Sequence, residues 1–222
     1  MKRNICLTDI SDGKLYDSND MVKLDCNDCQ GCSACCRGMG HTIILDPYDI
    51  YQLTMHFNST FQQLLQMQIE LNLFDGIILP NLKMTEEEDC CSFLTNEGRC
   101  SIHSYRPGLC RLFPLGRYYE NNTFQYFLQV HECQKTNRTK MKVSRWVGIT
   151  NIKEYENFIN VWHDFINLMQ EQFMFHADDL TRKSLNVLIL NTFFLTPYQT
   201  DLSFYSQFQT RMKDIQLKIS TN

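Results

Sequence analysis

The run CNDCQGCSACC at residues 26–36 carries five of the chain's eleven cysteines within eleven positions. The other six lie outside this run, at Cys6, Cys90, Cys91, Cys100, Cys110 and Cys133. An odd count in a chain of 222 residues does not fit a small secreted disulfide scaffold. Isolated core thiols would not cluster in this way. The cysteines are therefore expected to bind metal.

Three of the clustered cysteines, Cys29, Cys32 and Cys35, are separated by two residues each. This spacing lets a tight turn direct neighbouring thiolates at one centre, and it matches the first three ligands of a ferredoxin-type run whose fourth ligand is remote. Structural zinc sites more often use two separated Cys-x2-Cys pairs, and the downstream cysteines do not form a second pair of that kind. The spacing favours an iron–sulfur cluster, of the 4Fe–4S type, and leaves zinc as the alternative.

Cys35 is followed directly by Cys36. Neighbouring side chains of an extended chain point to opposite sides, so this pair is predicted to bind two different centres. In the alternative, one of the two thiols is a ligand, and the other either supports the site without binding the metal or is catalytic. The ligand register is also open. One register uses a remote fourth cysteine, and a local register uses Cys26, Cys29, Cys32 and Cys35.

A second group of cysteine motifs lies downstream. Arg106 and Arg111 lie on either side of Cys110. Because a guanidinium stays protonated, these two arginines are candidates to offset the charge of a thiolate-rich site, with surface ion pairing as the alternative. His103 is a candidate ligand or acid–base group, with a structural role as the alternative. The role of Cys90 is open, and Cys6 is expected to be a spare thiol.

Four motifs together resemble a known family. They are Cys29-x2-Cys32-x2-Cys35-Cys36-Arg37, Cys91-x-Phe93-Leu94, Gly98-x-Cys100-x-Ile102 and Arg106-Pro107-x2-Cys110-Arg111-x-Phe113-Pro114. Over roughly residues 26–135 the chain resembles the YkgJ-type cysteine-cluster family, also described as the CxxCxxCC zinc- or iron-chelating domain. The flagellin lysine N-methylases of enteric bacteria are grouped with it. The resemblance implies a bacterial-type protein whose metal ligands are Cys29, Cys32, Cys35, Cys36, Cys91, Cys100, Cys110 and Cys133.

The composition and the length of the apolar stretches limit which cellular location and which partners are expected. With 43% hydrophobic residues the chain can form an apolar core, and its formal net charge is −4. Nucleic acid is not expected as a partner, because no broadly basic surface is predicted. The N-terminus lacks the apolar run of a signal peptide, and the longest apolar stretch, Val187–Leu195, is far shorter than the ~20 residues of a membrane span. A cytoplasmic protein without membrane contact is expected.

The predicted fold class is α+β and mostly helical. Residues 1–25 are expected to form a polar, irregular arm, and residues 26–135 an irregular cysteine-rich metal lobe with short hairpins. Residues 136–222 are expected to be the helical C-terminal part of the same domain, on which the lobe packs. Asp46-Pro47 predicts the start of a helix that runs to about Phe57, with Phe57 facing inward, because Asp is a preferred N-cap and Pro suits the first helical turn.

Three further segments carry local signals. Phe61, Leu64, Gln68 and Leu71 have helical spacing, which predicts a second helix from Phe61 onward. Residues 95–98 predict a hairpin turn, and Asn121-Asn122 predicts another.

Two classes of function remain open. In the first, the metal centre is active in a redox, metal-handling or protein-modifying role, and a protein client or substrate is a candidate partner. If the chain is an enzyme, it would be methyltransferase-like or an iron–sulfur oxidoreductase, and no catalytic residue is identified. In the second, zinc holds a structural or partner-binding module together without catalysis, since thiolate ligation alone stabilises small domains strongly.

Overall fold

The computed structural model describes residues 7–25, 32–135, 137–175 and 178–220. The chain forms two compact units. Unit 1 comprises Met1–Ile43 with Met84–Asn160, and unit 2 comprises Ile44–Lys83 with Val161–Asn222. All candidate ligands that lie within the described residues belong to unit 1. The sequence-based division at residues 26 and 136 follows motifs rather than compactness, and it stays a prediction.

The described residues contain the strands β1 (Ser11–Tyr16), β2 (Met21–Asp25), β3 (Ile69–Phe74), β4 (Ile77–Leu82), β5 (Leu115–Glu120), β6 (Thr123–Gln129) and β7 (Thr139–Lys142). They also contain the helices α1 (Leu7–Ile10), α2 (Pro47–Phe57), α3 (Phe61–Leu65), α4 (Gly108–Leu112), α5 (Val143–Val147), α6 (Ile152–Phe175), α7 (Asp179–Leu190) and α8 (Phe204–Ser220). Short 3₁₀ turns cover Ala34–Cys36 and His103–Tyr105, and a π-helical turn covers Asn191–Leu195.

The protein belongs to the α+β class, as expected. Helix accounts for 46% and strand for 23% of the described residues, so helix predominates without reaching half. None of the helices in the described part of the chain combines the length and the apolar character needed to cross a bilayer.

The larger sheet of unit 1 is antiparallel, with the strand order β1–β6–β5. The hairpin between β5 and β6 turns at Asn121 and Asn122, which have φ values of 53° and 60°. Asn is among the few residues that tolerate this left-handed region, so the turn predicted there is confirmed. Gly116 lies opposite Phe127, whose ring fills the space that a side chain at position 116 would need.

The irregular arm expected over residues 1–25 is wrong for residues 7–25. Here β1 pairs with β6, and β2 pairs with β7 in a two-stranded ribbon. Val22 and Leu24 of β2 are almost fully buried. These two buried positions, with the exposed Lys23 between them, follow the two-residue period of a strand. The pattern is short and its neighbours are polar, so the sequence alone did not indicate a strand.

Unit 2 begins with the predicted helix α2. The Asp46 carboxylate accepts a hydrogen bond from the backbone N–H of Asp49 at 2.9 Å, and the Asp49 carboxylate accepts one from the backbone N–H of Asp46 at 3.1 Å. This reciprocal pair satisfies N–H groups that have no partner inside the helix. The helix thus starts and ends where the sequence predicted, although Phe57, expected to face inward, is 40% exposed.

The helices of unit 2 enclose an aromatic core. Trp162 of α6 packs edge-on against Phe193 of the π-helical turn, with 5.0 Å between ring centroids. Phe208 of α8 lies 5.6 Å from Phe193. Because Phe193 has no exposed surface and Phe208 almost none, these aromatic side chains are major contributors to the hydrophobic stabilisation of the unit.

Candidate metal centre

Cys35 and Cys36 lie in the 3₁₀ turn Ala34–Cys36. The backbone N–H of Cys36 donates to the carbonyl of Ser33 at 2.9 Å, which closes the turn. The side chain of Cys36 acts on the thiol of Cys35 and raises its pKa. The premise that neighbouring side chains point to opposite sides holds for an extended chain and does not hold here, because the backbone is a tight turn. The prediction that the pair serves two centres thereby loses its geometric basis.

An antiparallel β-bridge joins this turn to the second cysteine pair. Arg37 lies opposite Cys90, and the backbone N–H of Cys91 donates to the carbonyl of Cys36 at 2.8 Å. The N–H of Gly38 donates to the carbonyl of Asp89, also at 2.8 Å. These bonds bring the end of the N-terminal cysteine run against a segment more than fifty residues later in the chain.

A second bridge brings Cys100 to the same region. The N–H of Leu94 donates to the carbonyl of Cys91 at 2.8 Å, and Leu94 pairs with Cys100 in an isolated antiparallel bridge. The turn between them is closed by the N–H of Gly98, which donates to the carbonyl of Thr95 at 2.9 Å. The turn predicted at residues 95–98 is therefore confirmed, and it brings Cys100 close enough for its charge to raise the pKa of Cys91.

The thiols influence one another's ionisation. A hydrogen bond with the Cys36 thiol, followed by burial, raises the pKa of Cys35. Burial raises the pKa of Cys91 to about 11, and the charges of Cys100, Cys90 and Cys35 add to this shift. Burial also raises the pKa of Cys100, with a further contribution from Cys35. Cys35, Cys91 and Cys100 thus share one poorly solvated environment.

Arg106 brings a positive charge close to these thiols. Its guanidinium charge opposes the rise in the pKa of both Cys35 and Cys100. The guanidinium also contacts the ring of His103 and lies over the indole of Trp146, 5.9 Å from the ring centroid. The contact with Trp146 could not be read from the sequence, because nothing local links positions 40 residues apart.

Arg111, the second arginine singled out by the sequence, is buried and hydrogen-bonded to backbone carbonyls. It donates to the carbonyl of Ser104 and to that of Val147, the latter at 3.4 Å. These contacts tie α4 to α5 and to the preceding turn. A role of Arg111 in offsetting thiolate charge stays a prediction.

The contacts of Cys90 differ from those of its neighbour Cys91. Its Sγ lies 3.3 Å from the hydroxyl of Thr85 and 3.9 Å from a carboxylate oxygen of Glu88. The backbone N–H of Cys90 also donates to the Thr85 hydroxyl, at 3.3 Å. Thr85 and Glu88 were not singled out in the sequence, where neither belongs to a cysteine motif.

The other predicted ligands are more dispersed. Cys32 precedes the 3₁₀ turn, Cys110 lies in α4, and Cys133 lies between β6 and β7. Cys29 lies outside the described residues, as do Cys6 and Cys26. Within the described part of the chain, no three Cys, His, Asp or Glu side chains are grouped closely enough to hold one ion.

The donor set fits a thiophilic metal. Iron in iron–sulfur clusters and zinc in structural sites both bind cysteine thiolates. Here the thiols of Cys35, Cys91 and Cys100 share a half-buried environment with Arg106, and burial disfavours their ionised form until a metal cation replaces their protons. Cys35, Cys36, Cys91 and Cys100 are the described residues best placed to contribute to such a centre.

The comparisons with known proteins agree with this chemistry. The model of the CxxCxxCC family, "Putative zinc- or iron-chelating domain", matches residues 28–142. This range covers slightly more than half of the chain and includes all eight predicted ligands, so it confirms the resemblance found in the sequence. No curated protein and no solved structure matches the chain significantly. The chain belongs to the CxxCxxCC family of zinc- or iron-chelating domains.

Proposed function

We propose that this protein binds an iron–sulfur cluster through the cysteines of unit 1 and uses it in a redox or metal-handling role. The observation that carries the proposal is the junction between Cys36 and Cys91, which unites the N-terminal cysteine run with the downstream cysteines. The proposed ligands are Cys29, Cys32 and Cys35 with a remote fourth cysteine. This is the arrangement of ferredoxin-type runs.

Arg106 has a defined part in this proposal. Four thiolates around a cluster carry a large negative charge in a poorly solvated site, and a neighbouring guanidinium offsets part of it. The charge of Arg106 already acts on Cys35 and Cys100. Because net charge and local hydrogen bonds set the potentials of iron–sulfur clusters, Arg106 would also tune the potential of the centre.

A zinc-stapled structural module is the second candidate, and a different observation favours it. The segment that carries Cys90, Cys91 and Cys100 is held by isolated bridges rather than by strands. Such a segment has few ladder hydrogen bonds of its own, so a metal crosslink would supply much of its local stability. Structural zinc binding contributes apparent free energies of about 10 kcal/mol or more in small domains. A protein-modifying role rests on the family resemblance alone.

Metal analysis under anaerobic conditions separates these candidates. The full chain is isolated without oxygen, and iron, zinc and acid-labile sulfide are measured per chain alongside the visible absorption spectrum. We expect iron and sulfide in similar amounts, with a thiolate-to-iron absorption that bleaches on reduction. Zinc without iron or sulfide would favour the stapled module. A folded chain with neither metal would contradict both candidates.

A further inference from the structure

The two-stranded ribbon of β2 and β7 has one buried face and one basic face. Lys23 lies directly opposite Lys140, and Met21 lies directly opposite Lys142. These four side chains are exposed and share one face, whereas Val22 between them is buried on the other. We call the exposed set of Met21, Lys23, Lys140 and Lys142 the lysine face.

The lysine face is electrostatically unfavourable as it stands. Like charges directly opposite each other in an antiparallel pair destabilise the pair, because their Cβ atoms are only about 5 Å apart. Within the described part of the chain, the ammonium groups of Lys23, Lys140 and Lys142 have no carboxylate partner. The chain as a whole carries a net charge of −4, so this concentration of positive charge is local. Lysines held this close together on one exposed face form a surface that suits an anion.

We propose that the lysine face binds an acidic segment of a partner protein. Positive charge attracts and orients a negatively charged partner, while an apolar contact adds affinity by desolvation. Met21 supplies that contact, since its side chain is 51% exposed among the lysines. A flexible thioether of this kind adapts to the apolar side chains of a peptide. The phosphate backbone of a nucleic acid offers no apolar counterpart, and the net negative charge of the chain would repel a long polyanion.

The face is also placed next to the cysteine segments in the chain. The last residue of β2, Asp25, immediately precedes the cysteine run of residues 26–36, and β7 begins six residues after Cys133. The hydroxyl of Thr139 donates to the carboxylate of Asp25 at 3.3 Å, which joins the two strands at this end of the ribbon. A partner on the lysine face would thus contact the two strands that flank the cysteine motifs. The binding itself does not require the metal.

The test measures binding of a probe peptide to the full chain as isolated. The probe is a fluorescently labelled peptide that alternates Glu and Leu, and a single-stranded oligonucleotide of equal charge serves as the comparison. In the variant Lys23→Glu with Lys140→Glu, we expect peptide affinity at low salt to fall about tenfold or more, equivalent to about 1.4 kcal/mol. The matched control is Lys153→Glu with Lys213→Glu, which makes the same charge change on exposed helical positions. It should leave the affinity within about twofold.

Thermal unfolding shows whether a loss of peptide binding comes from a loss of folding. The single change Lys23→Glu converts a like-charge pair into an opposite pair, so we expect it to raise the thermal midpoint while it weakens peptide binding. No binding of the peptide to the parent would overturn the proposal, as would equal loss in both double variants. Tighter binding of the oligonucleotide than of the peptide would replace the proposed partner with a nucleic acid.

Discussion

The backbone N–H of Cys91 donates a hydrogen bond to the carbonyl oxygen of Cys36, and the two atoms are 2.8 Å apart. This bond connects two Cys-Cys pairs that lie more than fifty residues apart in the sequence. A metal held by cysteines from both segments would close a long loop, and closing a long loop removes more entropy from the unfolded chain than closing a short one. The junction therefore favours the register in which the fourth ligand is remote.

That register can be tested with two cysteine variants. If the fourth ligand is remote, Cys26 is spare, and Cys26→Ala should retain the metal content and the thermal midpoint of the parent. Cys110, a family ligand in α4, should behave differently, and Cys110→Ala should lose metal and stability together. Metal analysis and thermal unfolding of both variants check this. If Cys26→Ala lost metal and Cys110→Ala kept it, the local register would be correct.

In unit 2, Asn186 of α7 holds the β3–β4 hairpin. Its side chain accepts a hydrogen bond from the N–H of Ile78 at 2.7 Å and donates to the carbonyl of Gly76 at 3.0 Å, and it is 5% exposed. Because Asn186→Ala would leave these backbone groups without that partner, we expect it to lower the free energy of unfolding by about 1–3 kcal/mol. Chemical denaturation measures the change. Lys183→Ala, at an exposed position of the same helix, should stay within about 0.5 kcal/mol of the parent.

Arg211 of α8 caps the end of the π-helical turn. Its guanidinium donates to the carbonyls of Thr192, Thr196 and Pro197 at 2.9, 2.8 and 2.7 Å. It also stacks on Tyr198, 3.7 Å from the ring centroid. Charged hydrogen bonds to carbonyls contribute more than neutral ones, so Arg211→Met should cost about 2 kcal/mol of unfolding free energy.

The matched control for Arg211 is Lys213→Met. It removes a charge from the same helix at an exposed position and should change stability little. Equal effects of the two substitutions, measured by denaturant unfolding, would show that the carbonyl contacts of Arg211 do not stabilise the turn.

Asp178, at the start of α7, makes a contribution to stability that depends on pH. The N–H of Thr181 donates to its carboxylate at 2.7 Å, and this bond lowers the pKa of Asp178. Because the folded-state pKa lies below the unfolded value of about 3.9, the ionised cap stabilises the protein above that pH. The contribution is lost as the pH falls through the folded-state pKa.

Asp178→Asn isolates this effect, since Asn also caps helices but does not ionise. The thermal midpoint of the parent should exceed that of the variant at about pH 6, and the difference should shrink towards about pH 2. Metal loss at low pH affects both proteins and cancels in the comparison. A difference that does not vary with pH would contradict the role of the ionised cap.

The elements that the sequence predicted correctly are those specified by local chemistry. Asp46 and Pro47 start α2 through a cap and a restricted φ, and Asn121 with Asn122 form a turn that few other residues tolerate. Such signals act within a few residues. They can be read without knowledge of the tertiary contacts.

Elements that depend on distant partners were predicted poorly. Leu64, Gln68 and Leu71 fit a helical period, and the sequence therefore predicted one helix from Phe61 onward. The structure ends α3 at Leu65 and places Leu71 in β3, opposite Pro80 of β4. A short apolar run fits the period of a helix and that of a strand equally well. Here pairing with β4 determines that the segment is a strand.

The same limit applies to the candidate site. The cysteine motifs identified the thiols, because ligand spacing is a local property. The approach of Cys91 to Cys36 and of Arg106 to Trp146 depends on tertiary packing, and no residue near either partner indicates it.

The measurement that tests the metal centre most directly compares two adjacent cysteines. Cys90 and Cys91 are both almost fully buried, and the thiol of Cys90 contacts Thr85 and Glu88. The pKa of Cys91 responds to the charges of Cys100 and Cys35 as well as to that of Cys90. Cys91→Ser and Cys90→Ser are prepared anaerobically, and metal per chain is measured by elemental analysis. We expect Cys91→Ser to lose the metal of the centre and Cys90→Ser to retain it. Metal retained in Cys91→Ser, or lost equally from both variants, would contradict it.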